Sequence, residues 1–256
     1  MPSRDTKTGV LPDLSGRLCI FGDSHLGSIK TALDCGMVGF PDSELSYYGL
    51  VGPQFRMLDM HAGRIHPRSA AAAKAVAQVA GAGAEVLNPD HHDAFLFYGA
   101  RLRSAAFLVP FLHRAHHPAM WQSRAALEIA AERWLISTRA FRFAATFAAM
   151  GKRVAFIPAP LFSEGPGMNM IGEYDLATRG GVKDRDVLWD AMITRARAHN
   201  VTLLRQPEDT ITGGCFTKAS FAVDGMAQTG DAGHKSPAFA ARWVSDCGAV
   251  MRRKAA

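Results

Sequence analysis

Residues 17–30, RLCIFGDSHLGSIK, contain the change of structure that decides the fold. The apolar run in 18–21 predicts a short buried strand, and Gly22 and Asp23 follow it directly. Residues 25–33 then have the composition of a short helix. A strand that passes directly into a helix is typical of α/β folds, in which the next strand of the sheet lies parallel to the first.

Further apolar runs of strand length follow along the chain, and helix-length segments separate them. Strands are predicted at 44–51, 93–99, 152–160 and 200–207. Helices are predicted at 67–83, 123–150, 184–199 and 237–253. This alternation predicts an α/β fold of three layers, α/β/α, with a mainly parallel sheet.

The length and composition of the chain favour a single globular domain. Its 256 residues are close to the upper size for one hydrophobic core, and 48% of them are hydrophobic against 20% charged. We therefore expect one domain over residues 1–256, with residues 1–16 as a poorly ordered or extended segment. The polar N-terminus lacks the apolar core of a signal peptide, and no apolar stretch reaches the roughly 18 residues of a membrane span.

The cysteines, the net charge and the glycine motifs predict the cellular compartment of the protein and the kinds of ligand that it binds. The four cysteines are scattered without C-x-x-C spacing, which predicts free thiols in a reducing cytoplasm. The net charge of +6 forms no basic run, so nucleic-acid binding is not expected, whereas an anionic substrate would be attracted. Gly81-x-Gly83 follows an Ala-rich run instead of a strand, and there is no P-loop, so no nucleotide cofactor is expected.

Ser24 lies where the first predicted strand ends and the next helix begins. Serine is preferred at helix N-caps because its oxygen accepts a backbone N–H, so an N-cap is one interpretation. The other is a nucleophile at the carboxyl end of a strand, where ligands collect in such sheets. A serine nucleophile needs a base, since its hydroxyl reacts poorly at neutral pH. Asp23 is expected to shape the turn or to cap the helix.

A candidate base lies near the other end of the chain, in TGDAGHKSPAF at 229–239. Asp231 and His234 are three residues apart before the last predicted helix, which brings the carboxylate within reach of the imidazole Nδ1. It would fix the tautomer and leave Nε2 to take the Ser24 proton. Alternatively, Asp231 caps the last helix and His234 is a surface residue.

Gly-Asp-Ser closing the first strand and Asp-x-x-His before the last helix together resemble the two ends of the SGNH (GDSL-type) hydrolase family. The resemblance implies that Ser24 is the nucleophile, His234 the base and Asp231 its orienting acid. It also implies an SGNH or flavodoxin-like α/β/α fold. Members of this family hydrolyse esters, often acyl groups on sugars or lipids, without a metal or a cofactor.

The family's oxyanion hole uses the serine N–H, a glycine after the second strand and an asparagine in a Gly-x-Asn-Asp block after the third. In YYGLVGPQF, Gly52 fits the glycine and Gly49 is its competitor. FLFYGARLR keeps Gly99 but has Arg101 at the asparagine position. Arg101 could be a charged oxyanion donor, could bind a substrate carboxylate or phosphate, or could be a solvated surface residue.

Two further segments carry residues that could line an active site or bind a metal. The loop FSEGPGMNMIGEY at 162–174 is a candidate wall of the active site, and Asn169 within it is a candidate replacement amide. Three histidines have the spacing of a zinc site on one helical face, at positions 113, 116 and 117. Pro118 and the lack of a nearby acidic or cysteine ligand favour solvated histidines in a loop, so no metal is expected.

Three functions fit these residues. The first is a serine esterase or acylhydrolase with a modified oxyanion hole, acting on a small-molecule or carbohydrate ester. The second is a carbohydrate O-acyltransferase, which would form the same acyl-serine and exclude water from the second step. The third is a non-catalytic relative that binds a glycan or an anion.

Overall fold

A computed structural model describes residues 13–120 and 123–245. The strands in these ranges are β1 (Gly16–Gly22), β2 (Ser43–Gly49), β3 (Leu58–His61), β4 (Arg64–Pro67), β5 (Ala94–Arg103), β6 (Arg153–Ala159), β7 (Thr202–Leu203), β8 (Ile211–Thr212) and β9 (Phe216–Thr217). The helices are α1 (Leu26–Asp34), α2 (Ala70–Ala80), α3 (Ser104–His116), α4 (Arg124–Ser137), α5 (Arg139–Ala149), α6 (Val182–Ala198), α7 (Met226–Thr229) and α8 (Pro237–Ser245).

The central sheet has five strands in the order β2-β1-β5-β6-β7, and all of them are parallel. The order of the strands therefore reverses between β1 and β5. In doubly wound sheets the crevice at such a reversal, outside the carboxyl ends of the strands, is the usual ligand site. We therefore expect the chain segments that follow β1 and β5 to form a ligand site.

Different helices cover the two faces of the sheet. Along β1, Leu18 and Ile20 face one side and Cys19 and Phe21 face the other, because successive strand residues alternate. The first face packs against α1 and α8. The second packs against α2 to α6 and holds most of the aromatic core. The three-layer α/β/α architecture expected from the sequence is confirmed.

The helical region expected at 123–150 is divided into two helices. Helix α4 ends at Ser137 and α5 begins at Arg139, because Thr138 between them is extended, with φ −85° and ψ 122°. The hydroxyls of Ser137 and Thr138 both donate to the Trp134 carbonyl. Side-chain bonds of this kind compete with continued helical hydrogen bonding, and the Ala- and Arg-rich composition gives no warning of them.

The loop expected around the histidines is wrong. Helix α3 continues to His116, and it contains Pro110. His116 Nε2 lies 3.1 Å from Asp184 Oδ2, and His113 Nδ1 lies 3.6 Å from Asp175 Oδ1. These histidines therefore face carboxylates of neighbouring segments. In residues 13–120 and 123–245, no group of three or more histidine, cysteine, aspartate or glutamate side chains is arranged to hold a metal ion.

The remaining differences concern short elements. The strand expected at 200–207 pairs with the sheet only over β7. The β3–β4 hairpin was not expected, because its strands are only four residues long and mix polar with apolar residues. Cys247, residues 246–253 of the last expected helix and residues 1–12 of the N-terminal segment lie outside the described residues. Leu14, by contrast, is buried. No helix of the described ranges is long and apolar enough to cross a bilayer.

Candidate active site

Ser24 lies in the turn between β1 and α1, at the carboxyl end of the sheet beside the reversal of strand order. It does not cap the helix: His25 holds the N-cap position, and no side chain accepts a capping hydrogen bond there. The Ser24 Oγ instead lies 2.7 Å from Nε2 of His234. The hydroxyl therefore faces an imidazole that comes from the far end of the chain.

Asp231 orients that imidazole. Its Oδ2 lies 2.7 Å from His234 Nδ1, and its Oδ1 accepts the backbone N–H groups of Gly233 and His234, each at 3.1 Å. The last helix is capped by a different residue, because the Ser236 hydroxyl accepts the N–H of Phe239. The structure thus brings Asp231, His234 and Ser24 into one line of hydrogen bonds, and Asp231 is not the cap of α8.

The charge of Asp231 sets the tautomer of His234. Burial opposes ionisation of Asp231, but the backbone N–H and the ring of His234 outweigh it, so the pKa of Asp231 is lowered. An ionised carboxylate beside Nδ1 keeps a proton on that nitrogen. The Nε2 lone pair then points at the Ser24 hydroxyl, which is the arrangement a general base requires.

The turn that carries Ser24 is held by Asp23, which is buried. Its Oδ1 accepts the N–H of His25 at 3.1 Å and lies 2.7 Å from His25 Nδ1, while its Oδ2 accepts the N–H of Arg101 at 3.1 Å. Burial opposes ionisation, but these hydrogen bonds outweigh it and lower the pKa of Asp23. Asp23 shapes the turn, as expected, and also ties the end of β1 to the end of β5.

His25 is a second imidazole beside Ser24, and sequence reasoning missed it. Its ring centroid lies 5.1 Å from that of His234, and its side chain is only 13% exposed. The signal was its place directly after Ser24 and two residues after Asp23, because an aspartate at that spacing can reach Nδ1. Two aspartate–histidine pairs thus meet at one end of the sheet.

The glycines near the site permit close backbone approach. A Cβ at Gly99 would lie 2.8 Å from the His25 Cβ and 2.9 Å from Asp23 Oδ1, and its φ is +69°. A Cβ at Gly49 would lie 1.8 Å from the Gly22 carbonyl oxygen. Only glycine fits at either position without a shift of the backbone. Gly99 is therefore a packing requirement of the Ser24 turn.

Arg101 connects the site to Gly52. Its guanidinium donates to the Gly52 carbonyl at 2.6 Å, and its side chain is half-buried, so it is not a solvated surface residue. Ala100 and Arg101 have φ of +43° and +62°, and the pairing of β5 with β6 shifts register between Gly99 and Arg103. Left-handed conformation at two such residues is costly, and it is a frequent feature of functional sites.

Two clefts meet at Ser24. The arginine cleft has a volume of about 290 Å³ and includes Arg101, Arg103, Phe162 and Met170 in its wall. The hydroxyl cleft has a volume of about 450 Å³, and its wall includes Ser28, Thr31, Asp224 and Thr229. Four residues belong to both, namely Ser24, His25, Asp231 and His234.

The loop at 162–174, Asn169 and Gly52 are the other residues that the sequence predicted for the site. The loop at 162–174 forms part of the wall as expected, through Phe162 and Met170. Asn169 is exposed and is not part of either cleft wall. Gly52 also lies outside both walls, and Arg101 is its link to the site.

Lys235 is a buried lysine next to His234, and sequence reasoning missed it as well. Its Nζ donates to the carbonyls of Ala232 and Gly233 at 2.8 and 2.9 Å. Burial lowers the pKa of Lys235 to about 7, although the charge of Asp231 acts in the opposite direction. These two hydrogen bonds of Nζ brace the short loop that connects Asp231 to His234.

Comparison of the chain with protein-family models, with curated protein sequences and with solved structures finds no match. The geometry of the site is therefore the basis for inferring function.

Proposed function

We propose that the chain is a serine hydrolase of the SGNH type that cleaves a carboxylic ester. The observation that carries the proposal is the unbroken line from Asp231 through His234 to Ser24, with 2.7 Å at each of its two steps. A nucleophile, a base and an orienting acid at hydrogen-bond distance are the arrangement that activates a serine.

The proposed reaction has two steps. In the first, His234 Nε2 takes the proton of Ser24 as Oγ attacks the ester carbonyl, and it then gives this proton to the departing alcohol, leaving an acyl-serine. In the second, His234 takes a proton from water, which attacks the acyl-serine. The acid is released, and the proton returns to Ser24 Oγ. Asp231 stays ionised and stabilises the imidazolium in both steps.

The backbone N–H of Ser24 and that of Gly52 are the proposed oxyanion donors, although Gly52 lies outside the walls of both clefts and is joined to the site through Arg101. Arg101 supports this role indirectly: its guanidinium bonds the Gly52 carbonyl and so fixes the orientation of that loop. We assign Arg101 mainly to positioning, because its guanidinium is bonded to the Gly52 carbonyl and its backbone N–H is bonded to Asp23. Preorganised donors are effective since they need no reorientation when charge develops on the oxygen.

The hydroxyl cleft supports a carbohydrate as the alcohol part of the ester. Its wall carries the hydroxyls of Ser28, Thr31 and Thr229 together with the carboxylate of Asp224, groups that can exchange hydrogen bonds with sugar hydroxyls. Its volume of about 450 Å³ also leaves room for an acceptor sugar. This second observation favours a carbohydrate O-acyltransferase as the alternative function.

The deciding experiment is labelling with a fluorophosphonate probe followed by peptide mapping. We expect the label on Ser24, its loss in His234→Ala, and normal labelling in a matched control, Ser137→Ala, at the exposed end of α4. Turnover of 4-nitrophenyl acetate with and without a sugar acceptor separates the hydrolase from the transferase. If there is neither labelling nor turnover, the protein is a binding relative of the fold and the proposal is wrong.

We also propose a reducing, cytoplasmic location. Cys19, Cys35 and Cys215 are free thiols, and the first and last of them are buried. Burial raises the pKa of Cys19 and of Cys215 to about 12, which keeps both as unreactive thiols inside the core.

A further inference from the structure

Arg103 is a cation in the wall of the arginine cleft. It ends β5, is exposed, and shares the cleft wall with Ser24. In the described parts of the chain, no carboxylate or carbonyl oxygen contacts its guanidinium. Arg101 in the same wall differs, because one of its nitrogens is bonded to the Gly52 carbonyl.

The two carboxylates of this cleft already have their own donors. Asp23 accepts from the backbone and ring of His25 and from the backbone of Arg101. Asp231 accepts from two backbone N–H groups and from the ring of His234. Neither carboxylate is therefore available to Arg103, whose planar fork of donors matches a carboxylate in two parallel hydrogen bonds.

The rest of the arginine cleft is mostly apolar. The wall includes the apolar side chains of Ala105, Ala159, Pro160, Phe162 and Ala232. An apolar wall lowers the local dielectric constant and so strengthens the attraction between a guanidinium and an anion. With a volume of about 290 Å³, the cleft fits a short chain rather than a long lipid.

We propose that the ester cleaved at Ser24 carries a carboxylate on a short apolar chain, and that Arg103 binds this carboxylate in the arginine cleft. The inference rests on the proposed hydrolase function and adds the substrate class. The carboxylate belongs either to the acyl part or to the alcohol part of the ester. Both carry the same chemistry, and the test separates them.

The test compares two pairs of esters in which only the charge changes. In the first pair the charge is on the acyl part: the 4-nitrophenyl monoester of adipic acid against the same compound with its second carboxyl methylated. In the second pair it is on the alcohol part: 4-acetoxybenzoate against methyl 4-acetoxybenzoate. We expect the anionic member of one pair to have a kcat/KM about 10-fold higher than its neutral partner, the size of one charge-assisted contact.

Variants then locate the source of this preference. Arg103→Gln is expected to bring the anionic-to-neutral ratio of kcat/KM down to about one, and Arg103→Glu to invert it. Arg133→Gln is the matched control, since Arg133 is an exposed arginine on α4 away from both clefts. It should keep the wild-type ratio. A preference that survives Arg103→Gln would overturn the assignment to Arg103.

A binding measurement separates this inference from the proposed function. Adipate and adipamide are titrated calorimetrically into the Ser24→Ala protein, with and without Arg103→Gln. If no ester is hydrolysed but adipate binds through Arg103, the hydrolase proposal fails and the carboxylate site stands. If neutral esters are hydrolysed while charge makes no difference and adipate does not bind, the carboxylate site is overturned and the hydrolase stands.

Discussion

The Oγ of Ser24 lies 2.7 Å from Nε2 of His234, although 210 residues separate the two along the chain. They meet because α1, which follows Ser24, and α8, which follows His234, pack side by side on the same face of the sheet. The hydroxyl and the imidazole are thus held by the hydrophobic core rather than by local sequence. This relationship leads to the following predictions.

Removing either partner of this contact should abolish ester turnover with little effect on stability. We expect Ser24→Ala and His234→Ala each to lower kcat by at least about 10³-fold, and the double variant to be no worse, since the two groups act as a unit. Both side chains are partly exposed, so the melting temperature should stay near that of the wild type. Steady-state kinetics and calorimetry measure both. A fall in stability without a loss of turnover would make the contact purely structural.

Asp231→Asn should lower kcat by about 10²–10⁴-fold, because an amide can present its N–H to Nδ1 and favour the wrong tautomer of His234. It should also make the free energy of unfolding depend less on pH in the acid range. The folded-state pKa of Asp231 is lowered, so its contribution is present above the unfolded value of about 3.9 and is lost as the pH falls through the folded-state pKa. Asp90→Asn, at an exposed aspartate, is the control for kinetics and for acid unfolding.

Gly99→Ala and Gly52→Ala form a pair that isolates the packing against the Ser24 turn. Both glycines have positive φ, but a Cβ at Gly52 meets no atom within 4 Å, whereas a Cβ at Gly99 meets His25 and Asp23 below 3 Å. We expect Gly99→Ala to lower the free energy of unfolding by about 1–3 kcal/mol more than Gly52→Ala does. Urea unfolding measures the difference. Equal losses of the free energy of unfolding would show that the Ser24 turn can shift at little energetic cost.

Arg101→Asn tests whether the arginine serves positioning. Asparagine tolerates the left-handed backbone at this position better than most residues, so the substitution removes the bond to Gly52 with little added strain. We expect kcat for a neutral ester to fall about 10-fold, because a looser Gly52 loop supports the oxyanion less well. A faster variant would instead assign Arg101 to substrate choice.

Lys235→Met should change how stability depends on pH. In the folded chain the pKa of Lys235 is about 7, while an unfolded lysine titrates near 10.4. Between these values the unfolded state holds a proton that the folded state lacks, so wild-type stability should rise with pH by up to about 1.4 kcal/mol per unit. The rise should be absent in Lys235→Met. Denaturant unfolding at pH 7.5 and 9 gives the comparison, and parallel slopes would contradict the burial of this cation.

Much of the fold could be predicted from local sequence. The apolar runs of β1, β5 and β6 are short and buried on both faces, which is the pattern of parallel strands. The helical regions at 25–33, 67–83 and 123–150 followed from composition. The break at Thr138 and the presence of α3 could not be predicted. Hydroxyl–backbone bonds end α4 near Thr138, and the packing of the buried face of α3 overrides the unfavourable helix propensity of Pro110 and the histidines.

The sequence by itself determined the chemistry that the site can offer: a serine at a strand end and an aspartate three residues before a histidine. Which side chains face one another was decided only by the tertiary structure. Arg103 lies in the wall of the cleft that contains Ser24, Arg101 donates to the Gly52 carbonyl, and Lys235 is buried beside the loop that carries His234. The physical reason is that such contacts join residues from different strands and loops, and long-range packing, which no local pattern encodes, sets their distances.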